Sequence, residues 1–289
     1  MRVKNHLIEG IAYERARQIG GVITPEIVIL HDTAGRLEKG NSKDFLKTSP
    51  RVSVHFVIER DGTITQLVAL NRRAAHAGKS HYEGREDCNG FSIGVEIVNP
   101  GRMQRVGRSS CRAWWGEEFG IGFELTEADE AFSTVEMSTP HHGAGVWMDY
   151  TEEQIAAVET LLHVLFRDIP SLKDITAHWY VSPGRKVDPN PLFPLEPLRA
   201  RVLGRDDPRD AASAAAIEAD DEVIVRVSTG GAGLNLRATP SFNNNVLISI
   251  PNGTILRVEK TATFVGRRWG FVRYGGREGW VVEDFIEQL

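Results

Sequence analysis

Short apolar runs separated by polar turns dominate the first two thirds of the chain. They lie at residues 26–30, 55–60, 63–68, 92–98 and 174–177. Runs of this length, bounded by polar and glycine-containing segments, are typical of β-strands. Asp61 and Gly62 join the second run to the third, and this pair predicts a type I′ hairpin turn because both residue types tolerate positive φ angles. The pattern therefore predicts a sheet that contains at least one hairpin.

One long amphipathic segment lies between the fourth and fifth runs. Thr151 and Gln154 have the spacing of a capping box, in which the Thr side chain accepts from a first-turn amide and the Gln side chain reaches back. Apolar residues then recur at helical spacing at positions 155, 158, 162, 165 and 169, and Pro170 follows. We therefore predict an α/β domain in which a mixed central β-sheet is packed by helices.

The composition changes after residue 204. Residues 205–221 are acidic and rich in alanine, and we interpret them as a linker. Short β-like runs follow at residues 223–227, 234–237, 246–250, 254–259, 269–274 and 278–282. Because turn residues separate them at regular spacing, they predict a small all-β barrel. The predicted organisation is a first domain at 1–204, a linker at 205–221 and a second domain at 222–289.

Composition and charge argue against several classes of protein. The 289 residues are 41% apolar and carry a net charge of −5, so neither a nucleic acid nor a membrane surface is expected as a partner. No apolar run approaches the roughly 20 residues of a membrane span. The first residues lack the apolar core of a signal peptide, and Cys88 and Cys111 are too few for a disulfide scaffold. We expect a cytoplasmic protein with reduced thiols. The alternative is one disulfide between the two cysteines.

One loop carries the strongest chemical signal. His178, Lys186 and Asp188 place a nitrogen ligand, a cation and a carboxylate close together in the chain. Catalytic zinc takes three protein ligands of the His, Asp, Glu or Cys type and leaves a fourth position for water. His178 and Asp188 supply two such ligands, and His31, at the tip of the first apolar run, is the best candidate for the third. The alternative for a lone strand-tip histidine is a hydrogen-bonded polar residue without a metal.

Glu96 is a second anomaly because it interrupts an apolar strand. A buried carboxylate is costly unless it has a partner or a chemical task. One interpretation makes Glu96 a general base in hydrolysis. The other makes it a structural carboxylate that is paired with an arginine.

Five segments together resemble the zinc-dependent N-acetylmuramoyl-L-alanine amidases, the family that includes AmpD, a phage lysozyme and the peptidoglycan recognition proteins. The segments are ILHDTA at 29–34, VHFVIERDGTI at 54–64, AHAGKS at 75–80, CNGFSIGVEI at 88–97 and HWYVSPGRKVDP at 178–189. The resemblance extends from about residue 25 to residue 194. It implies the fold of that family and hydrolysis of the amide bond between N-acetylmuramic acid and L-alanine.

The resemblance also implies roles for single residues. It implies one zinc ion per chain, held by His31, His178 and Asp188. It implies that Glu96 is the catalytic base and that Lys186 stabilises the oxyanion. Substrate contacts are expected of three further residues, His76, Arg85 and Asn89. A guanidinium suits the carboxylates of the stem peptide, although an ion pair that fixes its loop is an equal alternative for Arg85.

Two departures from the family pattern refine the prediction. One branch has a tyrosine where this chain has Val54, so a tyrosine role is excluded there and Glu96 must act instead. The segment 101–148 is much longer than the connection in compact relatives, and it contains Trp114, Trp115, Phe119, Phe123 and Trp147. We interpret this insertion as a flap along the cleft that contributes to glycan or peptide selectivity. The alternative is a structural insertion without substrate contact.

The second predicted domain resembles bacterial SH3 domains. The resemblance rests on LNLR at 234–237, IPNG at 250–253, WGFVRY at 269–274 and GWV at 279–281. Such domains often accompany cell-wall hydrolases, so the resemblance implies a module that binds the wall. Together the two resemblances predict an amidase that acts on peptidoglycan or on muropeptides. The alternatives are a peptidoglycan-binding protein without catalysis and a zinc hydrolase of another bond.

Overall fold

The structure is a computed structural model that describes residues 1–125, 131–204, 223–231, 233–238, 240, 246–264 and 267–289. By its internal contacts the chain divides into two units, Met1–Arg205 and Asp206–Leu289. Within the described ranges, no helix is long and apolar enough to cross a membrane. Cys88 and Cys111 are both buried free thiols, so the two do not form a bridge.

The described part of the first unit contains sixteen strands and four α-helices. The strands are β1 (Arg2–Lys4), β2 (Leu7–Glu9), β3 (Ala12–Tyr13), β4 (Ile27–Asp32), β5 (Phe56–Ile58), β6 (Ile64–Gln66), β7 (His81–Tyr82), β8 (Arg85–Glu86), β9 (Ser92–Ile97), β10 (Gln104–Arg105), β11 (Ser110–Arg112), β12 (Glu118–Gly120), β13 (Gly122–Leu125), β14 (Ala131–Thr139), β15 (Gly143–Met148) and β16 (Asp174–Ala177). The helices are α1 (Asn41–Thr48), α2 (Glu152–Asp168), α3 (His178–Val181) and α4 (Leu195–Leu203).

A six-stranded sheet in the order β16-β4-β9-β5-β6-β3 forms the centre of this unit. β16, β4, β9 and β5 are parallel to one another, and β5 pairs with β6 in antiparallel orientation. Alternate residues of β4 enter different cores: Val28 and Leu30 pack with residues of α2, whereas Ile27 and Ile29 belong to another cluster. Because both faces of the sheet are covered, its inner strands are mostly apolar. The prediction of a mixed sheet packed by helices is confirmed.

Helix α2 follows the predicted pattern. The Thr151 side chain accepts a hydrogen bond from the Gln154 amide, and the Gln154 side chain accepts one from the Thr151 amide, which confirms the capping box. Val158, Leu162 and Leu165 are fully buried against the sheet. Burial of such a side chain stabilises the fold by about 1.5–3 kcal/mol.

The turn between β5 and β6 differs from the prediction. Gly62 has a φ of 78°, but Asp61 does not have a positive φ, so the turn is not type I′. The Gly62 amide donates to the Glu59 carbonyl and the Glu59 amide donates to the Thr63 carbonyl, which closes a longer loop with one left-handed residue. A Cβ on Gly62 would lie 2.8 Å from the Glu153 carbonyl oxygen of α2. Glycine is therefore required here both by its φ angle and by the close approach of the helix.

The insertion at residues 101–148 forms two small sheets, β10-β11-β12 and β13-β14-β15. Met103, Phe119 and Val146 belong to a core of its own. The side chain of Phe123 lies outside the described residues. The insertion therefore packs as a small layer of antiparallel strands within the first unit.

The described part of the second unit is built from β-strands and one short 3-10 helix. The strands are β17 (Val223–Val227), β18 (Leu234–Arg237), β19 (Val246–Ile250), β20 (Ile255–Phe264), β21 (Arg267–Tyr274), β22 (Arg277–Val282) and β23 (Ile286–Gln288). They form one antiparallel sheet in the order β19-β18-β22-β21-β20-β17-β23, around a core that includes Leu236, Trp269 and Val272. The all-β prediction is confirmed, and the likeness to SH3 domains stays a prediction. The predicted linker at 205–221 lies outside the described residues.

Candidate metal and active site

The candidate ligands meet at the edge of the central sheet where its parallel strands end. His31 lies on β4 and pairs in register with Glu96 on β9. On the other side of β4, Ala177 of β16 pairs with Leu30, so His178 follows one residue later and lies beside His31. Paired positions of neighbouring strands project from the same face of a sheet. The parallel topology therefore brings together two histidines and a carboxylate that are far apart in the chain.

Three candidate ligand atoms converge at this edge. His178 Nδ1 lies 2.8 Å from His31 Nδ1 and 2.8 Å from Asp188 Oδ2, and His31 Nδ1 lies 3.3 Å from the same carboxylate oxygen. The three residues are buried, and their ligand atoms lie within 4.8 Å of one another. Among the residues that the structure describes, no other group of three His, Cys, Asp or Glu side chains has this spacing.

The protonation of these groups fits a bound cation. Burial and the neighbouring His178 lower the pKa of His31 to about 4, so its imidazole is neutral at pH 7. Burial by itself would raise the pKa of Asp188, but the contacts with both histidines hold that pKa below its usual range, so the carboxylate is ionised. His178 Nε2 lies 3.0 Å from the Ala77 carbonyl oxygen, which can only accept, so we assign the ring proton to Nε2 and a lone pair to Nδ1. Two imidazoles and one carboxylate are a donor set that catalytic zinc takes.

Arg185 ties the loop that follows β16 to the segment before β7. Its guanidinium donates to the carbonyl oxygens of Ala77 and Lys79 at 2.5 Å and 2.9 Å, and to Ser182 Oγ at 2.7 Å. Ala77 is also the residue whose carbonyl oxygen orients the His178 ring. Outer hydrogen bonds of this kind hold a ligand in the orientation that a metal requires.

A buried network next to the ligands was not predicted from the sequence. Asp32 Oδ2 accepts hydrogen bonds from the Asn190 amide at 2.9 Å and from the Tyr150 hydroxyl at 3.1 Å. Burial, together with the charge of Asp188, raises the pKa of Asp32 to about 8. Because Asn190 follows Asp188 by two residues, this network anchors the end of the ligand loop. The one available signal in the sequence was the position of Asp32 directly after His31.

The insertion also touches the ligand loop. His142, at the turn between β14 and β15, has its Nε2 at 3.1 Å from the Pro189 carbonyl oxygen. The neighbouring His141 stacks on Trp179, with the ring centroids 4.4 Å apart. Pro189 directly follows Asp188 in the chain. The tip of the insertion therefore packs against the two residues that directly follow His178 and Asp188.

Glu96 lies in the cavity beside the candidate ligands. Burial raises its pKa well above the ordinary value, and the negative charges of Asp188 and Asp32 raise it further. Its Oε2 is buried and has no hydrogen-bond partner among the described residues. The described part of the chain offers this carboxyl group no arginine partner of the kind that the structural alternative requires. Lys186 lines the same cavity.

Two of the three predicted substrate residues, His76 and Asn89, form hydrogen bonds next to the candidate ligands. His76 lines the cavity, but its Nδ1 lies 2.9 Å from His31 Nε2. Asn89 is buried, and its Oδ1 accepts from the amides of His76 and Ala77 at 3.0 Å and 2.9 Å. The geometry makes Asn89 a support for the backbone that carries His76. Its role in substrate binding stays a prediction without a contact that favours it.

Arg85, the third predicted substrate residue, lies away from the cavity. Its guanidinium pairs with Glu26 at 2.9 Å and lies 3.8 Å from the ring centroid of Phe91. This arrangement matches the alternative interpretation, in which an ion pair fixes the loop. Arg36, which the sequence analysis did not select, is the arginine that lines the cavity.

The cavity measures about 420 Å³ and is bordered by aromatic side chains. Trp114 and Trp115 reach it from the insertion, and Phe45 reaches it from α1. Trp114 is 76% exposed, yet its indole N–H donates to the Ala34 carbonyl oxygen at 2.6 Å. The ring is therefore held in place although most of its surface faces solvent. An exposed, oriented aromatic wall next to candidate catalytic groups is typical of a substrate cleft.

The comparison with known proteins covers the part of the chain that contains this site. Residues 22–191 match the family model described as N-acetylmuramoyl-L-alanine amidase, which is more than half of the 289 residues. The 1,6-anhydro-N-acetylmuramyl-L-alanine amidase AmpD of Escherichia coli is 34% identical over 153 residues, which are 53% of this chain and 58% of AmpD. AmpD of Salmonella typhimurium is 31% identical over 153 residues, with the same coverage of both chains. The chain therefore spans less than two thirds of the length of these relatives.

Solved structures of two such enzymes align with this chain. Escherichia coli AmiD, in complex with the substrate anhydro-N-acetylmuramic acid-L-Ala-D-gamma-Glu-L-Lys, aligns with a TM-score of 0.45 at 24% identity. The alignment covers 70% of this chain and 68% of AmiD. A crystal structure of an AmpD derivative aligns with a TM-score of 0.45 at 23% identity and covers 70% of this chain and 99% of that one.

Proposed function

The chain belongs to the N-acetylmuramoyl-L-alanine amidase family, and from this premise we propose that it is a zinc-dependent amidase. The proposed reaction is hydrolysis of the amide bond between N-acetylmuramic acid and the L-alanine of the stem peptide. One zinc ion per chain would be held by His31, His178 and Asp188. The observation that carries the proposal is the convergence of three buried ligand atoms in a cleft that also contains Glu96.

The side chains around the ligands suit the rest of the chemistry. When bound, zinc activates water and polarises the scissile carbonyl group. Burial raises the pKa of Glu96 well above its ordinary value, so its carboxyl group takes up a proton more readily than a free glutamate. We therefore assign it proton transfer from the attacking water to the leaving amine. Lys186 lines the same cavity, and its ammonium group would stabilise the negative charge that develops on the carbonyl oxygen.

The unpartnered oxygen of Glu96 supports a catalytic role in particular. Leaving a buried polar atom without a hydrogen bond costs about 1–3 kcal/mol. A structural carboxylate would recover that cost through an arginine or through backbone amides, whereas the unpaired oxygen of a catalytic one stays free to form a hydrogen bond with water or substrate that enters the site. The position of Glu96 opposite His31 on the neighbouring strand gives it direct access to the same cavity.

The shape and charge of the cleft suit a muramoyl-peptide substrate. We propose that the flat faces of Trp114 and Trp115 pack against the sugar ring and that the insertion contributes to selectivity in this way. Arg36, in the same cavity, offers a guanidinium fork to a carboxylate of the stem peptide, the role that the sequence analysis assigned to Arg85. We further propose that the second unit is an SH3-like module that binds the cell wall, which favours polymeric peptidoglycan as a substrate besides soluble muropeptides.

The test measures zinc content and muropeptide products for the wild type and for Glu96→Gln. We expect about one zinc per chain, products with a free lactyl group and a free L-alanine amine by mass spectrometry, and a variant that keeps its zinc but loses turnover. Full zinc loading without cleavage of muropeptides or intact peptidoglycan would identify a binding protein. Cleavage within the peptide would identify a zinc hydrolase of another bond, and a protein without zinc would refute the proposal.

A further inference from the structure

His76 connects the candidate ligand His31 to Ser92 on the neighbouring strand β9. His76 Nδ1 lies 2.9 Å from His31 Nε2, and His76 Nε2 lies 3.3 Å from Ser92 Oγ. Ser92 Oγ in turn lies 2.6 Å from the Cys88 carbonyl oxygen. Four groups therefore form a continuous chain of hydrogen bonds that begins at a backbone carbonyl and ends at the ring of a ligand.

The direction of each hydrogen bond follows from its fixed end. The Cys88 carbonyl can only accept, so the Ser92 hydroxyl donates to it and its oxygen accepts from His76 Nε2–H. The imidazole of His76 then carries its single proton on Nε2 and keeps a lone pair on Nδ1. His31 must then carry its proton on Nε2 and donate it to His76. The remaining lone pair of His31 lies on Nδ1, which points at His178 and Asp188.

We propose that His76 is a positioning residue that fixes the tautomer and the ring orientation of His31 for metal binding. The inference rests on the proposed function and deepens it, because it assigns the cleft histidine to the metal site and not to substrate recognition. Ser92 and His76 orient the ring of His31, as the Ala77 carbonyl oxygen orients the ring of His178. Both histidines would then offer Nδ1 to a bound metal and use Nε2–H as the outer donor.

The packing around His76 provides an independent observation. A Cβ on Gly94 would lie 2.5 Å from His76 Cγ, so the ring occupies the space that a side chain on β9 would fill. Asn89 holds the His76 amide from the other side. The His55 ring lies 5.8 Å from the His76 ring and is itself held by the Gly94 amide, which donates to His55 Nδ1 at 3.0 Å. A ring confined in this way is suited to holding a fixed hydrogen bond, and both of its nitrogens are already engaged within the protein.

The test compares zinc dissociation constants for the wild type, His76→Leu and His76→Asn. Loss of an outer hydrogen bond to a metal ligand costs about 10–100-fold in metal affinity, and we expect that loss for His76→Leu. Asparagine places an acceptor oxygen near the position of Nδ1, so His76→Asn should restore most of the affinity. His163→Leu, at a half-exposed histidine on α2, is the control for the substitution itself. Folding of each variant is checked by thermal unfolding in the presence of a chelator.

Two more variants act on the same chain of hydrogen bonds without removing the imidazole. Gly94→Ala should displace the ring, and Ser92→Ala removes the acceptor of His76 Nε2–H, so both should weaken zinc binding. They keep the proposal testable if His76→Leu does not fold. In the zinc-loaded wild type, the Nε2 proton of His31 should exchange slowly in an NMR experiment, and this protection should be lost in His76→Leu.

The outcomes separate this inference from the proposed function. If the wild type binds zinc and releases amidase products but His76→Leu binds zinc equally well, the positioning role is refuted and the amidase stands. Unchanged zinc affinity with a raised KM for muropeptides would also refute it, since His76 would then be a substrate contact. If the wild type binds no zinc, both the function and the inference are wrong.

Discussion

Asp188→Asn is the substitution that isolates the charge of the candidate metal site. The change preserves the size of the side chain and removes the single negative charge among the three ligand atoms. A pair of unit charges about 4 Å apart is worth about 4 kcal/mol at an effective dielectric constant of 20. Since 1.4 kcal/mol corresponds to a factor of ten, we expect zinc affinity to fall by at least ~100-fold.

The loss of affinity has a measurable effect on stability. Zinc that binds the folded chain but not the unfolded one, at a free concentration 100 times its Kd, adds about 2.7 kcal/mol to the free energy of unfolding. A domain of about 200 residues gains roughly 2–4 °C in Tm for each kcal/mol, so zinc should raise the Tm of the wild type by about 5–11 °C. At the same zinc concentration, zinc at a site with 100-fold weaker affinity adds only about 0.4 kcal/mol to the free energy of unfolding.

The assay is thermal unfolding of the wild type and of Asp188→Asn, each with zinc and with a chelator. Asp174→Asn is the matched control, because the Asp174 side chain is 15% exposed and that of Asp188 is 12% exposed. Asp174 pairs with Arg199 at the other end of β16, so its variant should have a lower Tm but keep the zinc-dependent shift. A full zinc-dependent shift in Asp188→Asn would show that Asp188 is not a ligand.

Substitutions at three other positions test features that do not depend on the ligand set. Because the pKa of Glu96 is raised in the folded state, the wild type loses stability as pH rises above about 4.5 and this proton is lost. Glutamine does not titrate, so in the absence of metal the free energy of unfolding of Glu96→Gln should increasingly exceed that of the wild type above this pH. Parallel pH profiles of the two proteins would contradict this. Trp114→Ala should change the unfolding free energy by no more than about 0.5 kcal/mol because the ring is exposed, while raising the KM for muropeptides; an unaltered KM would exclude a substrate contact. Gly62→Ala should destabilise the protein by more than about 1 kcal/mol in denaturant unfolding, since its φ of 78° and the Glu153 carbonyl both oppose a Cβ; a variant as stable as the wild type would refute this.

Contacts of the insertion bear on both interpretations that the sequence left open. Its turn at His142 packs on the ligand loop through the Pro189 carbonyl, which is a structural contact. Trp114, in another part of the same insertion, lines the cleft with most of its surface exposed. Variants at these two positions should therefore affect stability and substrate affinity separately.

The sequence by itself determined the features that depend on local chemistry. The apolar runs predicted the strands of the central sheet, and the capping box predicted where α2 begins, because hydrogen bonds and burial within one element need no distant partner. The sequence pointed to His31 at the tip of an apolar run, to Glu96 within another, and to His178 and Asp188 in one short loop. The resemblance to the amidases implied their roles. The type I′ turn was the local prediction that failed, since Asp61 has no positive φ and the loop closes through Glu59 and Thr63.

Only the tertiary structure decided which polar residues share a site. Arg85 and Arg36 both lie in polar segments of the sequence, and only the path of the chain places Arg36 in the cleft and Arg85 beside Glu26. His76 was expected to contact substrate, and only the tertiary structure shows that its ring lies between His31 and Ser92. Distances between side chains depend on how parallel strands align across the sheet, and that alignment is set by the packing of the whole core, which no single segment encodes.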